Sequence, residues 1–449
     1  MAQVTSRAQH PAAGWQHGPV RRLLLDTTPL RHSRPYRHLY LGTVTSGVGA
    51  QLATTAIALQ IFELTGSSFA VGLVGLYALV PIVVIGLYGG AVLDVHDRRS
   101  VAVVGGVVLW ATGALNVTQA ALGNTDVRVL YALVALHSAG FAIVSPARSS
   151  IYPRLLPLTM LPAANALSVA SMNVAMTVGP LLAGFLVEWA GYTSAYAVDV
   201  VLFSVAMWGL LTLPPIPPEQ DPDRAGKAPA RRAPGLSSVL DGLRFLTTRP
   251  NVRMTFLADF CAMILAQPRA LFPAVAIVAL QGGPSTAGVL SAAVAAGAVL
   301  AMVVSGPLGR VVHQGRAVVW SVVAWGAGIL AVGLAVLGSG RWFGPVTALV
   351  LACAFLAVAG AADSVSSVFR NTILQAATPD HLRGRLQGVF IVVVAGGPRL
   401  GELVSGTVAG LWSEWGALVL GGLACVVAVL LLARLQPGFM SYDARRPTP

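Results

Sequence analysis

The chain has little charge and almost no lysine, two shortages that are unusual for a protein of 449 residues. Charged residues make up 10% of the sequence and hydrophobic residues 55%, and the mean hydropathy is +0.74. A water-soluble protein of this length needs many more charged side chains on its surface. Composition alone therefore argues against a soluble globular protein. Lys227 is the single lysine among 29 basic residues.

Cysteines and several functional motifs are also scarce. The three cysteines, Cys261, Cys353 and Cys425, lie in apolar stretches with no metal-site spacing, so we interpret them as packing residues. There is no glycine-rich loop with Lys and Ser/Thr, which argues against ATP-driven transport, and no hydrolase pattern. We expect no cofactor, no metal and no enzymatic activity. The Arg-rich start lacks the apolar core of a signal peptide, so we expect an uncleaved first span.

Apolar stretches of about 20 residues are abundant, and each is long enough to cross a hydrocarbon core of roughly 30 Å. They are continuous rather than alternating, which predicts helices and not a β-barrel. The sequence thus predicts an all-α membrane protein with twelve transmembrane helices. These lie at 38–62, 69–92, 100–122, 128–149, 163–189, 194–213, 253–279, 286–309, 316–338, 343–370, 384–411 and 417–435.

The spans predict two six-helix bundles with a linker between them. Seven prolines between 214 and 234 stand among charged residues, a composition typical of a stiff linker, and an amphipathic helix is expected at Leu236 to Leu246. The predicted parts are a cytoplasmic N-terminal tail 1–37, an N-terminal bundle 38–213, a cytoplasmic linker 214–252, a C-terminal bundle 253–435 and a cytoplasmic C-terminal tail 436–449.

Basic residues are concentrated on one side of the predicted spans. Loops predicted on the same side of the membrane as the two termini contain arginines such as Arg98, Arg154 and Arg316. Loops predicted on the other side contain only Arg128 and Arg341. The positive-inside rule therefore places both termini in the cytoplasm of a multi-pass protein of the bacterial inner membrane. The net charge of +12 then reflects this asymmetry and contact with anionic lipids. We expect lipid contact, no nucleic-acid binding and a monomer.

A short pattern occurs once in each predicted bundle. The pattern begins with an arginine, Arg148 near the end of the fourth span and Arg370 near the end of the tenth. Two polar residues and an isoleucine follow each arginine, and a proline, Pro157 or Pro379, stands nine residues after it. Internal repeats of this size are typical of transporters whose substrate site lies between the repeats. The sequence therefore predicts a six-plus-six repeat.

Two further motifs indicate a family. Gly90, Asp94, Arg98 and Arg99 resemble the loop signature of the major facilitator superfamily, although Val95 and Asp97 depart from it. Gly179-Pro180 in the fifth span resembles the Gly-Pro motif of its antiporters. Stretches at 161–166, 268–274 and 372–385 resemble the enterobactin exporter branch, and the whole resemblance covers about 36–435. It implies the major facilitator fold of two six-helix pseudo-repeats.

The resemblance also implies roles for these motifs. Gly90, Asp94, Arg98 and Arg99, with Arg148 as a partner, would form a gating cluster on the cytoplasmic side. The alternative is that Arg98 and Arg99 only set topology. Gly179 and Pro180 would bend the fifth span or act as a tight packing point. The second half has Arg310 where the aspartate would stand, so gating is doubtful there.

Ionisable side chains inside the spans are few, and each is a functional hypothesis because burial in lipid is costly. The candidates for proton coupling are Asp259 and Glu402, followed by Asp199 and Asp363. Arg399 and Glu402 are three residues apart and can pair, for a structural or a functional reason. On a regular seventh span, Asp259 and Arg269 would lie about 15 Å apart and would not pair. We interpret His137 as a hydrogen-bonded core residue.

Together these observations predict a secondary active exporter that works by alternating access and is driven by protons. The predicted cargo is a siderophore of the catecholate type or another bulky small molecule. A multidrug efflux antiporter is the alternative, and a channel or a membrane receptor is the rival outside the carriers. The candidates for lining the substrate cavity are Asn173, Gln267, Arg269, Gln375 and Arg399.

Overall fold

The computed structural model describes residues 26–217, 244, 246–306, 308, 311–376, 380–443 and 445. Within these ranges, the side chains of 87–95, 158 and 380–395 are outside the description. The predicted amphipathic helix at Leu236 to Leu246 lies mostly outside the described residues, as does Arg310.

The described chain is helical almost throughout. The helices in chain order are α1 (Thr28–His32), α2 (Arg34–Thr65), α3 (Ser68–Val95), α4 (Arg98–Ala121), α5 (Val127–Leu155), α6 (Leu161–Leu211), α7 (Pro250–Phe260), α8 (Phe272–Ala274), α9 (Pro284–Val303), α10 (Gln314–Gly338), α11 (Pro345–Ala376), α12 (Asp380–Leu411), α13 (Glu414–Leu435) and α14 (Pro437–Met440). Ten helical segments, counted over the described residues, are long and apolar enough to cross a membrane: α2 to α6, the segment Pro250–Ala279, α9, α10, α11 and α13.

Helix α6 is interrupted near its middle. Its 51 residues would extend about 75 Å as one rod, more than twice the thickness of a hydrocarbon core. The helical geometry is broken at Gly191, where φ is 76° and ψ is 176°. Glycine is favoured there because side chains with a Cβ rarely adopt this left-handed φ. The break lies between the predicted spans 163–189 and 194–213.

The expectation of a regular helix over 253–279 is wrong. Helix α7 ends at Phe260 and continues as a π-helix over Cys261–Leu265, and a 3₁₀ turn over Arg269–Leu271 precedes α8 and a second π-helix over Val275–Ala279. Proline lacks the N–H that an α-helix needs, and Pro268 and Pro273 lie at these irregular steps. The 15 Å separation of Asp259 and Arg269 assumed a geometry that the segment does not have.

The long helices pack as two groups. In the first half, α2 packs on α6, α3 on α5, and α4 on both α5 and α6. In the second half, α9 packs on α11, and α10 packs on α11 and α13. The two halves meet mainly where α3 contacts α12 and where α6 contacts α9. A space between the halves is therefore bordered by these four helices.

Gly66 lies in the short connection between α2 and α3, and Arg98 follows the short connection between α3 and α4. These two connections mark the opposite ends of the molecule, because α3 runs from one to the other. Toward the Gly66 end, glycines bring the halves together. A Cβ added to Gly72 would lie 2.7 Å from the carbonyl oxygen of Glu402, and one added to Gly184 would lie 2.5 Å from that of Pro284. Small residues permit such close helix contacts in membranes. These contacts close the Gly66 end between the halves.

Candidate functional site

A central cavity of about 110 Å³ lies between the two halves. Its wall in the first half comes from α2, α3 and α6, and its wall in the second half comes from the irregular segment after α7, α9 and α12. The polar residues of the lining are Gln51, Thr54, Thr55, Arg269, Ser291, Arg399 and Glu402. Concave sites between two halves of a protein, with a few placed polar groups, are typical of small-molecule sites.

An ion pair lies in the wall of this cavity. Arg399 Nη1 is 3.2 Å from Glu402 Oε2, and the two residues lie three positions apart on α12. The Glu402 side chain is 10% exposed and the Arg399 side chain 28% exposed. Glycines in α3 allow this part of α12 to come close, since a Cβ on Gly72 would contact the Glu402 backbone. The pair therefore lies where the two halves touch.

Arg269 is the other cation of the central cavity. It begins the 3₁₀ turn Arg269–Leu271, so the interruption of the helix after α7 positions it at the cavity wall. Its side chain is exposed and makes no ion pair with any described residue. Interrupted helices at the substrate site are common in secondary transporters. The two arginines and one carboxylate in the lining leave a net positive charge.

A second cluster of charges surrounds Arg370 in α11. Arg370 Nη1 donates to Asp259 Oδ1 in α7, and Arg370 Nη2 lies 3.4 Å from Asp363 Oδ1. The other oxygen of the Asp259 carboxylate is buried and has no hydrogen-bond partner in the described part of the chain. Asp259, Arg370 and five neighbours line a cavity of about 60 Å³. Two of the predicted coupling carboxylates thus share one arginine.

Sequence reasoning missed Arg370 as the partner of Asp259. The two residues are 111 positions apart, so no local spacing could indicate the contact. A signal was nevertheless present, because Arg370 belongs to the short sequence pattern that also contains Arg148. Its counterpart Arg148 donates to Ser46 Oγ at 3.1 Å, and Ser46 lies on α2, the first long helix of its own half.

Asp199 has no charged partner among the described residues. It is 5% exposed and forms neither a hydrogen bond nor an ion pair with any of them. Two glycines make room for its carboxyl group: a Cβ on Gly113 would lie 3.4 Å from Asp199 Oδ2, and one on Gly49 would contact Oδ1. Asp199 therefore lies apart from the charges of the second half, between α2, α4 and α6.

Three of the predicted cavity residues do not line the central cavity. Asn173 Nδ2 contacts Met302 Sδ across the α6–α9 boundary at 3.1 Å. Gln267 is buried against α12, where a Cβ on Gly401 would lie 2.7 Å from its own Cβ. Gln375 is exposed near the end of α11. Arg269 and Arg399 do line it.

The predicted gating cluster is only partly described. Gly90 and Asp94 belong to α3, but their side chains are outside the description. Arg98 Nη1 reaches the carbonyl oxygen of Ser150 at 3.5 Å, and Arg99 Nη2 donates to the carbonyl oxygen of Leu211 at 2.8 Å. Both arginines thus hold the start of α4 against neighbouring helices of the first half.

Asp97, which sequence reasoning did not single out, links the start of α4 to the chain that follows α6. Its Oδ1 accepts from Ser100 N at 2.7 Å and caps α4, while its Oδ2 accepts from Ile216 N at 2.6 Å. Partial burial raises the pKa of Asp97, but the hydrogen bonds from Ser100 and Ile216 and the charge of Arg99 outweigh it. The pKa of the carboxyl group is consequently below its ordinary value.

Gly179 and Pro180 are packing positions in the described structure. A Cβ on Gly179 would lie 2.8 Å from the carbonyl oxygen of Val48 in α2, and the Pro180 carbonyl oxygen lies against Gly288 in α9. The backbone keeps helical dihedral angles here and departs from them at Gly191. The motif thus holds α6 between the two halves.

Two carboxylates near the Gly66 end also bridge the halves, and sequence reasoning assigned them no role. Glu188 in α6 accepts from the Ser285 backbone N–H at 3.0 Å, at the start of α9. Glu414 accepts from Ser68 Oγ at 3.0 Å, so α13 is linked to the start of α3. A carboxylate at a helix N-terminus is favoured by the helix dipole. Both bonds add to the closure of this end.

A family model for the transmembrane secretion effectors matches residues 26–446. The chain belongs to this family of major facilitator transporters. It is 25% identical over 433 residues to the enterobactin exporter EntS of Citrobacter koseri, covering 95% of this chain and 97% of that protein. It is also 26% identical over 423 residues to EntS of Escherichia coli O6:K15:H31, covering 91% and 95%. Membership makes it a multi-pass membrane transporter of small molecules.

Solved transporters have the same fold. The nucleoside transporter NupG aligns with a TM-score of 0.65 at 16% identity, covering 89% of this chain and 98% of that one. A POT family transporter in complex with 5-aminolevulinic acid aligns with a TM-score of 0.69 at 11% identity, covering 91% and 97%. At such low identity, the likeness shows the fold alone.

Proposed function

We propose that this transporter is a proton-coupled secondary exporter of a siderophore or a similar bulky small molecule across the bacterial inner membrane. The observation that carries the proposal is the Arg399–Glu402 ion pair beside Arg269 in a cavity between the halves. A carboxylate that can be protonated, placed next to substrate-binding cations, is what a coupled carrier needs.

Twelve spans in two related halves are part of this proposal. The ten apolar segments count α6 once and leave out α12. Counting the two parts of α6 on either side of Gly191 as separate spans, and adding α12, gives twelve. The contacts between the halves support a two-fold relation. In a count of twelve, α3 and α12 are the second and eleventh spans, and the first arm of α6 and α9 are the fifth and eighth. A two-fold axis would exchange these two pairs.

Alternating access requires that the contacts at the Gly66 end break when the cavity opens there. The glycine contacts between α3 and α12 and the bonds of Glu188 and Glu414 are the ones that would separate. We assign the gating role at the opposite, cytoplasmic end to Gly90, Asp94, Arg98, Arg99 and Arg148. The arginines at that end support the placement of both termini in the cytoplasm.

Glu402 is the proposed site of competition between a proton and the cargo. While ionised, it pairs with Arg399 and offers oxygen atoms to hydroxyl or amide donors of the cargo. Once protonated, the Glu402 carboxyl group interacts much more weakly with both Arg399 and the cargo. The Asp259–Arg370–Asp363 cluster and Asp199 are further proton-responsive candidates. Arg269 would face acidic oxygens of the cargo.

The cargo class follows from the relatives and from the cavity. Two relatives that match nearly along their whole length are named enterobactin exporters. The net positive lining of the cavity suits a ligand rich in oxygen, whereas carboxylates would be expected to dominate a site for cationic drugs. Multidrug efflux is therefore the outcome that the following test must exclude.

The test is a deletion strain complemented with the wild type, with Glu402→Gln or with Glu63→Gln. Glu63 is an exposed carboxylate at the Gly66 end and serves as a matched control. We expect the wild type and Glu63→Gln to restore siderophore secretion, and Glu402→Gln to leave it at the level of the deletion strain. A protonophore should abolish the wild-type secretion.

Unchanged siderophore secretion in the deletion strain, together with raised drug sensitivity, would contradict siderophore export and favour drug efflux. Secretion that survives both Glu402→Gln and the protonophore would contradict proton coupling. Membrane levels of each variant, measured by immunoblotting, establish that a lost activity is not a lost protein.

A further inference from the structure

The first half contains two buried acceptor groups without partners among the described residues. Asp199 in α6 is 5% exposed and forms no hydrogen bond or ion pair with any of them. Asn116 in α4 is 2% exposed, and its Oδ1 is buried and has no hydrogen-bond partner in the described part of the chain. Buried polar groups normally have partners, so each exception requires an explanation.

The part of α6 after Gly191 runs antiparallel to α4. Arg99 at the start of α4 donates to the carbonyl oxygen of Leu211 at the end of α6, at 2.8 Å. Further along both helices, a Cβ on Gly113 in α4 would lie 3.4 Å from Asp199 Oδ2. These two contacts fix the register between the helices, so that positions on one can be matched with positions on the other.

Asn116 and Asp199 stand at matching positions. Tyr196 in α6 and Gln119 in α4 both bond to Gln60 in α2, and we call these three residues the neutral network. One turn beyond it stand Asn116 on α4 and Asp199 on α6, each three residues from its neighbour in the network. Residues three apart on a helix share a face, with about 5–6 Å between their Cβ atoms. The two unpartnered groups therefore lie on facing surfaces.

We propose that Asp199 and Asn116 bind a Na⁺ ion, and we call this pair of residues the Asp199 site. An ionised carboxylate and an amide oxygen both accept hydrogen bonds and cannot bond to each other, whereas a cation between them contacts both. Carboxylate and amide oxygens are the ligands that hard cations prefer. One negative charge is neutralised by one monovalent ion. The sequence had predicted no metal and had offered Asp199 only as a residue that responds to protons.

The surroundings of Asp199 leave its charge to be neutralised by such an ion. Arg148 reaches Ser46 in α2, one turn before Gly49, and donates to that hydroxyl group instead of to Asp199. The phenol of Tyr196 donates within the neutral network. A buried carboxylate without a counter-ion is strongly unfavourable. A transition metal does not suit the site, because the described residues contain no group of three or more His, Cys, Asp and Glu that could hold one.

The size and the place of the site favour a small ion that stays bound. Gly49 and Gly113 flank the carboxyl group of Asp199, and a Cβ on Gly49 would contact its Oδ1. Such close packing suits dehydrated Na⁺ better than the larger K⁺. Asp199 and Asn116 are not part of the lining of the central cavity. The ion would therefore stabilise the first half and would not travel with the cargo, so the inference does not depend on what the cargo is.

The test compares the Tm of the purified full-length protein in NaCl, KCl and choline chloride at equal ionic strength. We expect the Tm to rise saturably with Na⁺ and to rise less with K⁺ or choline. At a Na⁺ concentration roughly 100 times the Kd, binding should lower the unfolding equilibrium constant about a hundredfold, or about 2.7 kcal/mol. Equilibrium dialysis with radioactive sodium should find a single class of saturable sites.

Two variants test the ligands of the ion. Asp199→Asn should abolish both the sodium binding and the rise of Tm with Na⁺, because it removes the charge and keeps the size. Asn116→Ala should raise the Kd for Na⁺ by roughly tenfold, which corresponds to about 1.4 kcal/mol. Asp126→Asn is the matched control, since Asp126 caps α5 through Arg128 N and asparagine caps equally well. It should keep the sodium response of the wild type.

Three outcomes would overturn the inference. Equal rises of Tm in all three salts would show a general effect of salt, and a sodium response that persists in Asp199→Asn would place the ion elsewhere. Absence of sodium binding by the folded wild type would leave a proton as the neutralising cation. Lower stability of Asn116→Ala with an unchanged Kd for Na⁺ would show that the amide is not a ligand, which contradicts the proposed pair. Dialysis below the Tm keeps the test decisive for a destabilised variant.

Discussion

The two halves of this transporter surround equivalent arginines differently. Arg148 in α5 and Arg370 in α11 occupy the same place in a short sequence pattern that occurs once in each half, and they reach α2 and α7, respectively. Arg148 donates to the hydroxyl group of Ser46, whereas Arg370 donates to the carboxylate of Asp259 and contacts Asp363 as well. Among the side chains that the structure describes, this position therefore has a neutral partner in the first half and anionic partners in the second.

The difference extends beyond this position. The first half buries a neutral network in which Tyr196 donates to Gln60 Oε1 at 2.7 Å, and the amides of Gln60 and Gln119 bond to each other at 3.1 and 3.2 Å. Ionisable groups at the cavities come mainly from the second half. A neutral network keeps its bonds when pH changes, whereas a charged one does not. The comparison suggests a rigid first half and a responsive second half.

The largest effect is expected from removing the repeated arginines one at a time. Arg370→Ala leaves the buried carboxylate of Asp259, 10% exposed, without its counter-ion, and such a loss typically costs about 3–5 kcal/mol of unfolding free energy. Of the contacts with described side chains, Arg148→Ala removes one bond to a neutral hydroxyl group, and the loss of that bond should cost about 1 kcal/mol. Chemical denaturation in detergent measures both.

The control for this prediction is the double variant Arg370→Ala with Asp259→Ala. It removes the unpaired carboxylate as well, so it should be more stable than Arg370→Ala alone. Equal losses for Arg148→Ala and Arg370→Ala would show that the two environments do not differ energetically.

A smaller effect is expected from making the first half resemble the second. Ser46 is 4% exposed and accepts from Arg148 at 3.1 Å, so Ser46→Asp should create a charge-assisted bond. Bonds to charged groups contribute about 1 kcal/mol more than neutral ones, which predicts a gain in unfolding free energy of about that size. Ser46→Asn is the neutral control of similar shape. A Tm for Ser46→Asp below that of Ser46→Asn would contradict the prediction.

An effect of similar size is expected at the starts of α4 and α10, one helix from each half. Asp97 caps α4 through Ser100, whereas His313, at the start of α10, makes no side-chain cap. Asp97→Ala should therefore cost about 1 kcal/mol at neutral pH. Because the folded state lowers the pKa of Asp97 below its ordinary 3.8, this contribution is complete above that value and lost as the pH falls below it.

The measurement is the difference in Tm between the wild type and Asp97→Ala at several pH values. It should be constant near neutrality and decrease in the acid range below 3.8. Arg128→Ala, at the start of α5, controls for general effects of loop charge. A difference that persists unchanged in acid would show that the ionised carboxylate is not the cause.

Local spacing predicted some of these features correctly. Arg399 and Glu402 are three residues apart on one helix, so the side chains lie on the same face and pair. The break of α6 at Gly191 falls in the gap between two predicted spans. Hydropathy also located the apolar segments, since each must cover the thickness of a bilayer.

Features that depend on distant residues were not predicted. The partner of Asp259 is 111 positions away, and the partner of Glu188 lies in the other half of the molecule. The irregular segment after α7 was predicted as a regular helix despite Pro268 and Pro273, because hydropathy does not distinguish a continuous helix from a broken one. Asn173, Gln267 and Gln375 were chosen for polarity, which does not reveal the direction of a side chain.

By itself, the amino-acid sequence determined the membrane setting of this protein, its helical character and its family, because lipid admits only apolar segments with internally bonded backbones. The tertiary structure alone decided which charges meet. It placed Arg370 between Asp259 and Asp363, and Arg399 between the central cavity and His137. Such contacts depend on how helices far apart in the chain pack together, and the free energy of a buried charge depends on those neighbours.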